Sequence, residues 1–133
     1  MKNLRLATFN INGISSRLPA LLEWLKRERP DIACLTDLKA ADHKFPRQEI
    51  EAAGYGSLYQ GQPAWNGVAI LARDSEPLEV RRGLPGMEDD TQSRYLEAAA
   101  HGVLIGCLYL PNGNPQPGPK FDYKLRWFEC LIQ

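Results

Sequence analysis

Three apolar runs of the sequence each end in polar residues, and these residues are of the types that phosphate chemistry uses. Residues 8–13, 32–39 and 107–114 all begin with apolar side chains and then turn polar. Because such runs predict buried strands, we expect the polar residues that follow them to meet at one rim of a sheet. The candidate site residues in these runs are Asn10, Asn12, Asp37, Lys39, Tyr109 and Asn112.

Asp37 is the one carboxylate in these runs, which makes it the candidate metal ligand. Mg²⁺ prefers oxygen ligands, and proteins usually hold it with one or two carboxylates together with waters and substrate phosphates. A carboxylate at the end of a strand can be such a ligand. The alternative is a turn residue or a cap for the next segment, because aspartate commonly has both roles.

Asn10 and Asn12 flank Ile11 and would point to the same side if the strand continued. Amides in that position could bind a phosphate oxygen or orient a carboxylate. The pair Asn12-Gly13 is equally a turn signal in its own right. The Tyr109 hydroxyl could donate a hydrogen bond to a phosphoryl oxygen as charge develops. Alternatively, Tyr109 is half-buried with its hydroxyl in water.

Several cationic and polar residues elsewhere are candidates for contacts with phosphates or sugars. Lys39, Arg94 and Lys120 could each bind a phosphate, and each is equally well explained as a solvated surface charge. Asn66, next to Trp65, could contact a sugar or simply close a hairpin.

Hydrophobic periodicity and turn residues predict an α/β chain with one strand–helix–strand unit followed by mostly antiparallel strands. A first helix starts near residue 18 with Ser15 or Ser16 as its cap, and Pro30 ends it. The other predicted helices cover residues 45–53 and 120–132, and the predicted strands cover residues 4–10, 31–35, 55–59, 67–72, 78–82, 94–100 and 102–110. We expect one mixed, largely antiparallel sheet with helices on its outer face.

The strand predicted at residues 103–108 is apolar on both of its faces. Strands of this kind need cover on both sides, and helices can cover only one of them. The sequence gives no sign of a second sheet for the other side. We therefore expect an uncovered apolar face, through which the chain could self-associate.

The bulk properties are those of a single soluble domain, since 133 residues can bury a sizeable core. The 16 basic residues balance the 16 acidic ones, which argues against a protein that merely coats DNA. Cys34, Cys107 and Cys130 have no metal-type spacing and are expected to be buried thiols in a reducing compartment. Without a secretory signal or an apolar stretch of membrane-spanning length, a cytoplasmic protein with no membrane partner is expected.

Taken in order, the motifs resemble the exodeoxyribonuclease III family of DNA-repair enzymes. This family is a branch of the endonuclease/exonuclease/phosphatase superfamily. The resemblance rests on residues 9–14, 34–39, 65–71, 93–97, 109–113 and 120–124. The opening motif at residues 9–13 would fit the whole superfamily, whereas the stretch from Pro111 to Lys124 is typical of the repair branch.

The resemblance implies a phosphodiesterase that uses Mg²⁺, or Mn²⁺ in its place. The implied partner is double-stranded DNA with an abasic site or a 3′ end. The roles that the resemblance implies are catalysis for Tyr109 and Asn10, metal binding for Asp37 and Asn10, and DNA or phosphate binding for Asn12, Lys39, Asn66, Arg94 and Asn112.

Two features depart from the family pattern. Thr36-Asp37 stand where the family usually has Gln-Glu, so the carboxylate reaches about 1.3 Å less far and the neighbouring amide is missing. The family's Asp-x-Asn and Asp-His clusters also have no counterpart in this sequence. We therefore interpret residues 1–133 as the N-terminal half of an endonuclease/exonuclease/phosphatase domain. This would be half of a four-layer α/β sandwich.

Three functions are compatible with this interpretation. The first is a truncated DNA-repair phosphodiesterase with little or no activity alone, because the residues that activate the attacking water would be missing. The second is a non-catalytic binding or assembly module. The third is a phosphoesterase of the same superfamily with another substrate, which the stretch from Pro111 to Lys124 disfavours.

Overall fold

The computed structural model describes residues 3–133. Its elements in chain order are β1 (Leu6–Asn10), α1 (Leu18–Glu28), β2 (Ile32–Thr36), α2 (Arg47–Ala52), β3 (Tyr55–Gln60), β4 (Val68–Arg73), β5 (Leu78–Arg82), β6 (Tyr95–Ala100), β7 (Val103–Leu108) and α3 (Pro119–Ile132). The elements expected from the sequence are all present, and their bounds agree with the structure to within two residues.

The strands form two sheets, so the single sheet expected from the sequence is wrong. The four-stranded sheet has the order β1-β2-β4-β3, and the three-stranded sheet has the order β5-β6-β7. Strands β1 and β2 are parallel, and every other pairing is antiparallel. The alternation of side chains along a strand shows which residues share a face, but it does not show which strands pair.

The two sheets pack face to face. Helices cover the outer face of the four-stranded sheet and part of that of the three-stranded sheet, where Leu104 and Leu108 stay exposed. The apolar residues of β4 that face the other sheet contact those of β6 and β7, while α1 and α2 cover the opposite face of the four-stranded sheet. Trp127 of α3 packs with Leu84 and Met87 beside Tyr95 of the three-stranded sheet. The α/β sandwich therefore has four layers within this chain, and the second sheet is the cover that β4 and β7 require.

The sandwich is closed along one side and open along the other. On the closed side, the Arg82 guanidinium of β5 donates a hydrogen bond of 2.7 Å to the carbonyl oxygen of Tyr59 in β3. On the other side, β1 and β7 are the outermost strands of their sheets among the described residues. We call this side the β1–β7 seam. Leu6 and Leu104 lie there, 58% and 63% exposed.

The start of α1 differs from the expected serine cap. The residue that precedes the helix is Arg17, and no side chain caps the first turn. Ser16 instead donates a hydrogen bond of 3.3 Å to the carbonyl oxygen of Gly13. This serine stabilises the turn after β1, which competes with capping for the same hydroxyl group. The helix ends at Arg29, which has a left-handed conformation with φ of 47°.

Among residues 3–133, no helix combines the length and the apolar content that a membrane-spanning helix needs.

The packing predicts how two leucines will respond to truncation. Leu35 of β2 is fully buried beneath the helices, so Leu35→Ala should lower the free energy of unfolding by about 2–5 kcal/mol. Leu104 is mostly exposed, so the matched variant Leu104→Ala should change the free energy of unfolding by about 0.5 kcal/mol or less. Urea denaturation of both variants measures the difference, and equal effects would contradict the assigned burial.

Candidate active site

The ends of β1 and β2 stay together after the regular strands finish. The backbone N–H groups of Ile11 and Gly13 donate hydrogen bonds of 2.9 Å to the carbonyl oxygens of Thr36 and Asp37. The two segments that follow the parallel strands therefore leave the sheet side by side. This pairing brings the asparagines at and just after the end of β1 next to the aspartate after β2, as the sequence predicted.

Four of the predicted site residues have left-handed backbone conformations. The φ angles are 50° for Asn12, 60° for Asp37, 53° for Lys39 and 56° for Asn66. This region costs free energy for residues other than glycine, although Asn and Asp tolerate it best. The Lys39 N–H group donates a hydrogen bond of 2.9 Å to the Asn66 carbonyl oxygen, which holds the two strained turns together. Such strain concentrates at functional sites.

Asn10, Asn12, Asp37 and Lys39 form one polar cluster at this rim. The Lys39 ammonium group donates a hydrogen bond of 2.6 Å to the side-chain oxygen of Asn12 and lies 3.9 Å from the Asp37 carboxylate. The side-chain oxygen of Asn10 accepts a hydrogen bond of 2.8 Å from the Asn12 N–H group. Only 7% of the surface of Asp37 is exposed, so its charge acts in a partly desolvated environment.

Tyr109 reaches this cluster from the other sheet, just beyond the end of β7. Its hydroxyl group lies near enough to the Asn10 amide and the Asp37 carboxylate for both to affect its pKa. Burial and then the negative charge of Asp37 raise the pKa of Tyr109, and the positive charge of Arg94 acts in the opposite direction. Tyr109 therefore remains protonated at neutral pH, and its hydroxyl group can donate a hydrogen bond.

Arg94 fixes the backbone and the ring of Tyr109. The backbone N–H group of Tyr109 donates to the Arg94 carbonyl oxygen at 2.8 Å. The guanidinium donates in turn to the Tyr109 carbonyl oxygen at 3.2 Å and lies 5.2 Å from the centre of the Tyr109 ring. This is a cation–π contact. A further hydrogen bond of 2.7 Å to Gln92 holds the guanidinium in place.

A cleft of about 680 Å³ opens beside Tyr109. Three of the predicted DNA-binding residues, Asn66, Arg94 and Asn112, line it together with Lys120. The structure thus divides the eight predicted site residues into two groups. The four residues of the polar cluster lie together with Tyr109, and the other three lie along the adjoining cleft.

Sequence reasoning missed Gln62, which shapes this cleft. Its side-chain oxygen accepts hydrogen bonds from the Ser93 N–H group at 2.7 Å and from the Asn66 amide at 3.2 Å. Gln62 thereby holds a predicted DNA-binding residue in place. It lies in the loop between β3 and β4, where no periodic pattern distinguishes a structural glutamine from a solvated one. Tyr123 of α3 also lines the cleft; its stretch, residues 120–124, contributes to the family resemblance, but the sequence assigned this tyrosine no site role.

The polar cluster contains two side-chain oxygen donors of the kind that a hard cation binds. Within residues 3–133, no three His, Cys, Asp or Glu side chains come together in a group that could hold a metal ion. The available oxygen ligands are the Asp37 carboxylate and the Asn10 amide. One carboxylate suits an ion that keeps most of its waters. The nearby Lys39 ammonium group competes for the same carboxylate, so the donor set by itself is a weak site for a cation.

A family model described as "Endonuclease/Exonuclease/phosphatase family" matches residues 7–133. The chain belongs to this family. Exodeoxyribonuclease III of Haemophilus influenzae is 36% identical over 135 aligned positions, which cover 98% of this chain and 50% of that protein. An exodeoxyribonuclease of Bacillus subtilis is 28% identical to this chain, and the alignment covers 51% of that protein.

Solved structures of family members have the same fold. One of them is the Neisseria 3′ phosphatase NExo bound to a product DNA hairpin, which superposes with a TM-score of 0.93 at 37% sequence identity. The superposition covers 97% of this chain and 50% of NExo. An AP endonuclease from Archaeoglobus fulgidus superposes with a TM-score of 0.90 at 37% sequence identity. The superposition covers 97% of this chain and 49% of the AP endonuclease. The chain thus spans about half the length of the family members that it matches, and it corresponds to the N-terminal half.

The contacts of Tyr109 predict how its ionisation responds to a neighbouring charge. Because the Asp37 carboxylate raises the pKa of Tyr109, Asp37→Asn should lower the pKa of this tyrosine. Asp90→Asn is the matched control, since Asp90 accepts a hydrogen bond from Tyr123 instead. NMR titration of ring-labelled tyrosine, with Tyr109→Phe for assignment, measures the change. An unchanged pKa in Asp37→Asn would refute the contact.

Proposed function

We propose that this chain is the phosphate-binding half of a metal-dependent phosphodiesterase of the exodeoxyribonuclease III type, with double-stranded DNA as its substrate. The observation that supports this most strongly is the meeting of Asn10, Asp37 and Tyr109 beside an open cleft. These three residues come from two different sheets. A carboxylate, an amide and a protonated phenol together are the groups that a phosphodiester in transfer needs.

The names of the relatives support the proposed substrate. They include an exodeoxyribonuclease III, an AP endonuclease and a 3′ phosphatase with a DNA hairpin product. By analogy, the substrate of the proposed enzyme is a duplex with an abasic site or a blocked 3′ end. The protein has no net charge, so any attraction to DNA must come from local cations. Arg94 and Lys120 line the cleft beside Tyr109, where they could bind the phosphate backbone.

In the proposed mechanism, Tyr109 donates its hydroxyl proton in a hydrogen bond to a non-bridging phosphate oxygen. Since the Asn10 amide and the Asp37 carboxylate lie beside this hydroxyl group, they keep it directed at the rim of the sheet. Asp37 and Asn10 would also hold Mg²⁺, or Mn²⁺ in its place. The ion, when bound, supplies positive charge that stabilises the phosphoryl group in the transition state.

The remaining predicted residues would position the DNA. Arg94 and Asn66 line the cleft and Asn112 lies at its exposed rim, so each could contact a phosphate or a sugar. Asn12 and Lys39 are exposed at the polar cluster, where Lys39 would attract the scissile phosphate. Contacts of this kind fix the register of a protein on a duplex and carry little sequence information.

We further propose that this chain alone is a poor catalyst. Asp37 is the carboxylate of the polar cluster, and the Lys39 ammonium group lies 3.9 Å from it. No second acid in the described cluster is placed to accept a proton from water. Loss of a general base typically costs 10²- to 10⁴-fold in rate.

Cleavage of a fluorescent duplex with one abasic site tests the proposal. With Mg²⁺ present, the purified chain should cut at least about 100-fold more slowly than exodeoxyribonuclease III of Haemophilus influenzae. Residual cutting should fall further in Tyr109→Phe if Tyr109 touches the phosphate. It should remain unchanged in the control Tyr95→Phe, because the Tyr95 hydroxyl group donates a hydrogen bond to Glu97. Full activity of the chain alone would refute the proposed inactivity, and activity only on small phosphoesters would favour another phosphoesterase.

Metal binding has a readout that is independent of activity. Mn²⁺ bound at Asp37 should be detectable by electron paramagnetic resonance, and Asp37→Asn should abolish this signal. Asp42→Asn is the control, because Asp42 accepts a hydrogen bond from the Gly61 N–H group in a different part of the fold. Equal Mn²⁺ binding by both variants would contradict the proposed ligand.

A non-catalytic assembly module is the second candidate function. The exposed leucines along the β1–β7 seam favour it, because apolar surface of this kind commonly marks an interaction site. In this proposal, two copies of the chain associate through their seams. A sedimentation coefficient that rises with protein concentration would support self-association.

A further inference from the structure

We propose that Asp90 is a positioning residue for Arg94. Through Gln92 and Tyr123, the Asp90 carboxylate keeps the Arg94 guanidinium in the cleft, oriented so that it can bind a phosphate. Asp90 itself does not touch the ligand. The positioning of Arg94 is independent of the reaction, whereas the phosphate as its ligand rests on the proposed function.

The first argument is that the two carboxylate oxygens of Asp90 have different partners. Oδ2 accepts a hydrogen bond of 2.6 Å from the hydroxyl group of Tyr123 in α3. Oδ1 accepts a hydrogen bond of 3.0 Å from the backbone N–H group of Gln92. Burial and then the hydrogen bond with Asp90 raise the pKa of Tyr123, so this hydroxyl group stays protonated and remains the donor. Asp90 therefore links the segment before β6 to α3.

Both partners of Asp90 also contact Arg94. The side-chain oxygen of Gln92 accepts a hydrogen bond of 2.7 Å from Arg94 Nε. The centre of the Tyr123 ring lies 5.8 Å from the guanidinium carbon of Arg94, close to the 5.2 Å that separates this carbon from the Tyr109 ring. Guanidinium groups are attracted to aromatic faces. Asp90 thus holds two of the groups that fix the position of Arg94.

The second argument is that the positive charge of Arg94 lacks an acidic partner. Arg73 and Arg126 each lie within ion-pair distance of a carboxylate. In the part of the chain that the structure describes, Arg94 donates only to neutral acceptors, namely the Gln92 amide oxygen and two backbone carbonyl oxygens. A partly buried cation is costly without an anion nearby. Because Arg94 lines the cleft, a bound phosphate would supply that anion.

A neighbouring aspartate separates positioning from a purely structural role. Asp89 lies 3.0 Å from the guanidinium of Arg126, so it also links this segment to α3. This exposed ion pair does not involve the groups that contact Arg94. If Asp90 only anchored α3, loss of either aspartate would have the same kind of effect. Asp89→Ala is therefore the matched control for Asp90→Ala.

The position of Arg94 can be measured without DNA or metal. NMR of the arginine-labelled chain, with Arg94→Lys for assignment, follows the exchange of the Arg94 Nε proton with water. Asp90→Ala should speed this exchange by about tenfold, because the Gln92 acceptor and the Tyr123 ring lose their support. Asp89→Ala should leave the exchange unchanged.

Two further variants test the route through which Asp90 acts. Asp90→Asn should restore slow exchange, because its amide oxygen can accept from the Gln92 N–H group and its NH₂ group can donate to the Tyr123 oxygen. Gln92→Ala should speed the exchange although Asp90 is intact, because it removes the acceptor of Arg94 Nε. Gln92→Ala keeps the link between Asp90 and α3, so it decides the question if circular dichroism shows that Asp90→Ala is unfolded.

Phosphate binding is tested with a fluorescent duplex that carries one abasic site, in the absence of metal. Asp90→Ala and Asp90→Asn remove the same charge and differ only in geometry. Fluorescence anisotropy should show about fivefold weaker binding for Asp90→Ala than for Asp90→Asn, and equal binding when Arg94→Ala is added to both. The slope of log affinity against log salt should also be smaller by about one in Asp90→Ala, because one phosphate contact is lost.

Three results would overturn the inference. They are an unchanged exchange of the Arg94 Nε proton in folded Asp90→Ala or in Gln92→Ala, an equal acceleration in Asp89→Ala, and a difference in DNA affinity between Asp90→Ala and Asp90→Asn that persists without Arg94. A chain that shows the expected exchange rates but does not bind the duplex would support the positioning of Arg94 and would count against the proposed substrate.

Discussion

The packing of one sheet on the other is the constraint on which the rest of this structure depends. β4 is buried on both faces, by the helices on one side and by β6 and β7 on the other. Val68 and Ile70 contribute the inner face, and they are fully buried against Leu96 and its neighbours. Burial of this apolar area is the main favourable term in folding. It also fixes where β7 ends relative to β1 and β2.

The candidate site is a consequence of that packing. Tyr109 follows β7, whereas Asn10 ends β1 and Asp37 follows β2 in the other sheet. Their meeting therefore requires the two sheets to be in contact. Arg94 then secures Tyr109 through backbone hydrogen bonds and a cation–π contact. The left-handed conformations of Asp37 and its neighbours are tolerated because the surrounding ladder of hydrogen bonds holds them.

The same packing leaves the β1–β7 seam open. On the other side of the sandwich, Arg82 joins the two sheets through the Tyr59 carbonyl oxygen. Along the seam, Leu6 continues the core surface of the four-stranded sheet into solvent, and Leu104 is exposed on the opposite face of β7. Half of the family fold can therefore form a layered core of its own and still present edges to which further strands could be added. The chemistry at the rim and the open seam meet at Asn10, which borders both.

The sequence by itself determined the elements and the chemical types at their ends. Local periodicity placed every α-helix and strand to within two residues, because side-chain spacing reflects local backbone geometry, but it did not predict the 3₁₀ helix Asp42–Lys44. It also identified Asn10, Asp37 and Tyr109 as polar residues that follow apolar strands. Only the tertiary structure decided that β5, β6 and β7 form a second sheet and that Gln62 shapes the cleft. Strand pairing and loop contacts depend on residues far apart in the chain, and no local pattern encodes them.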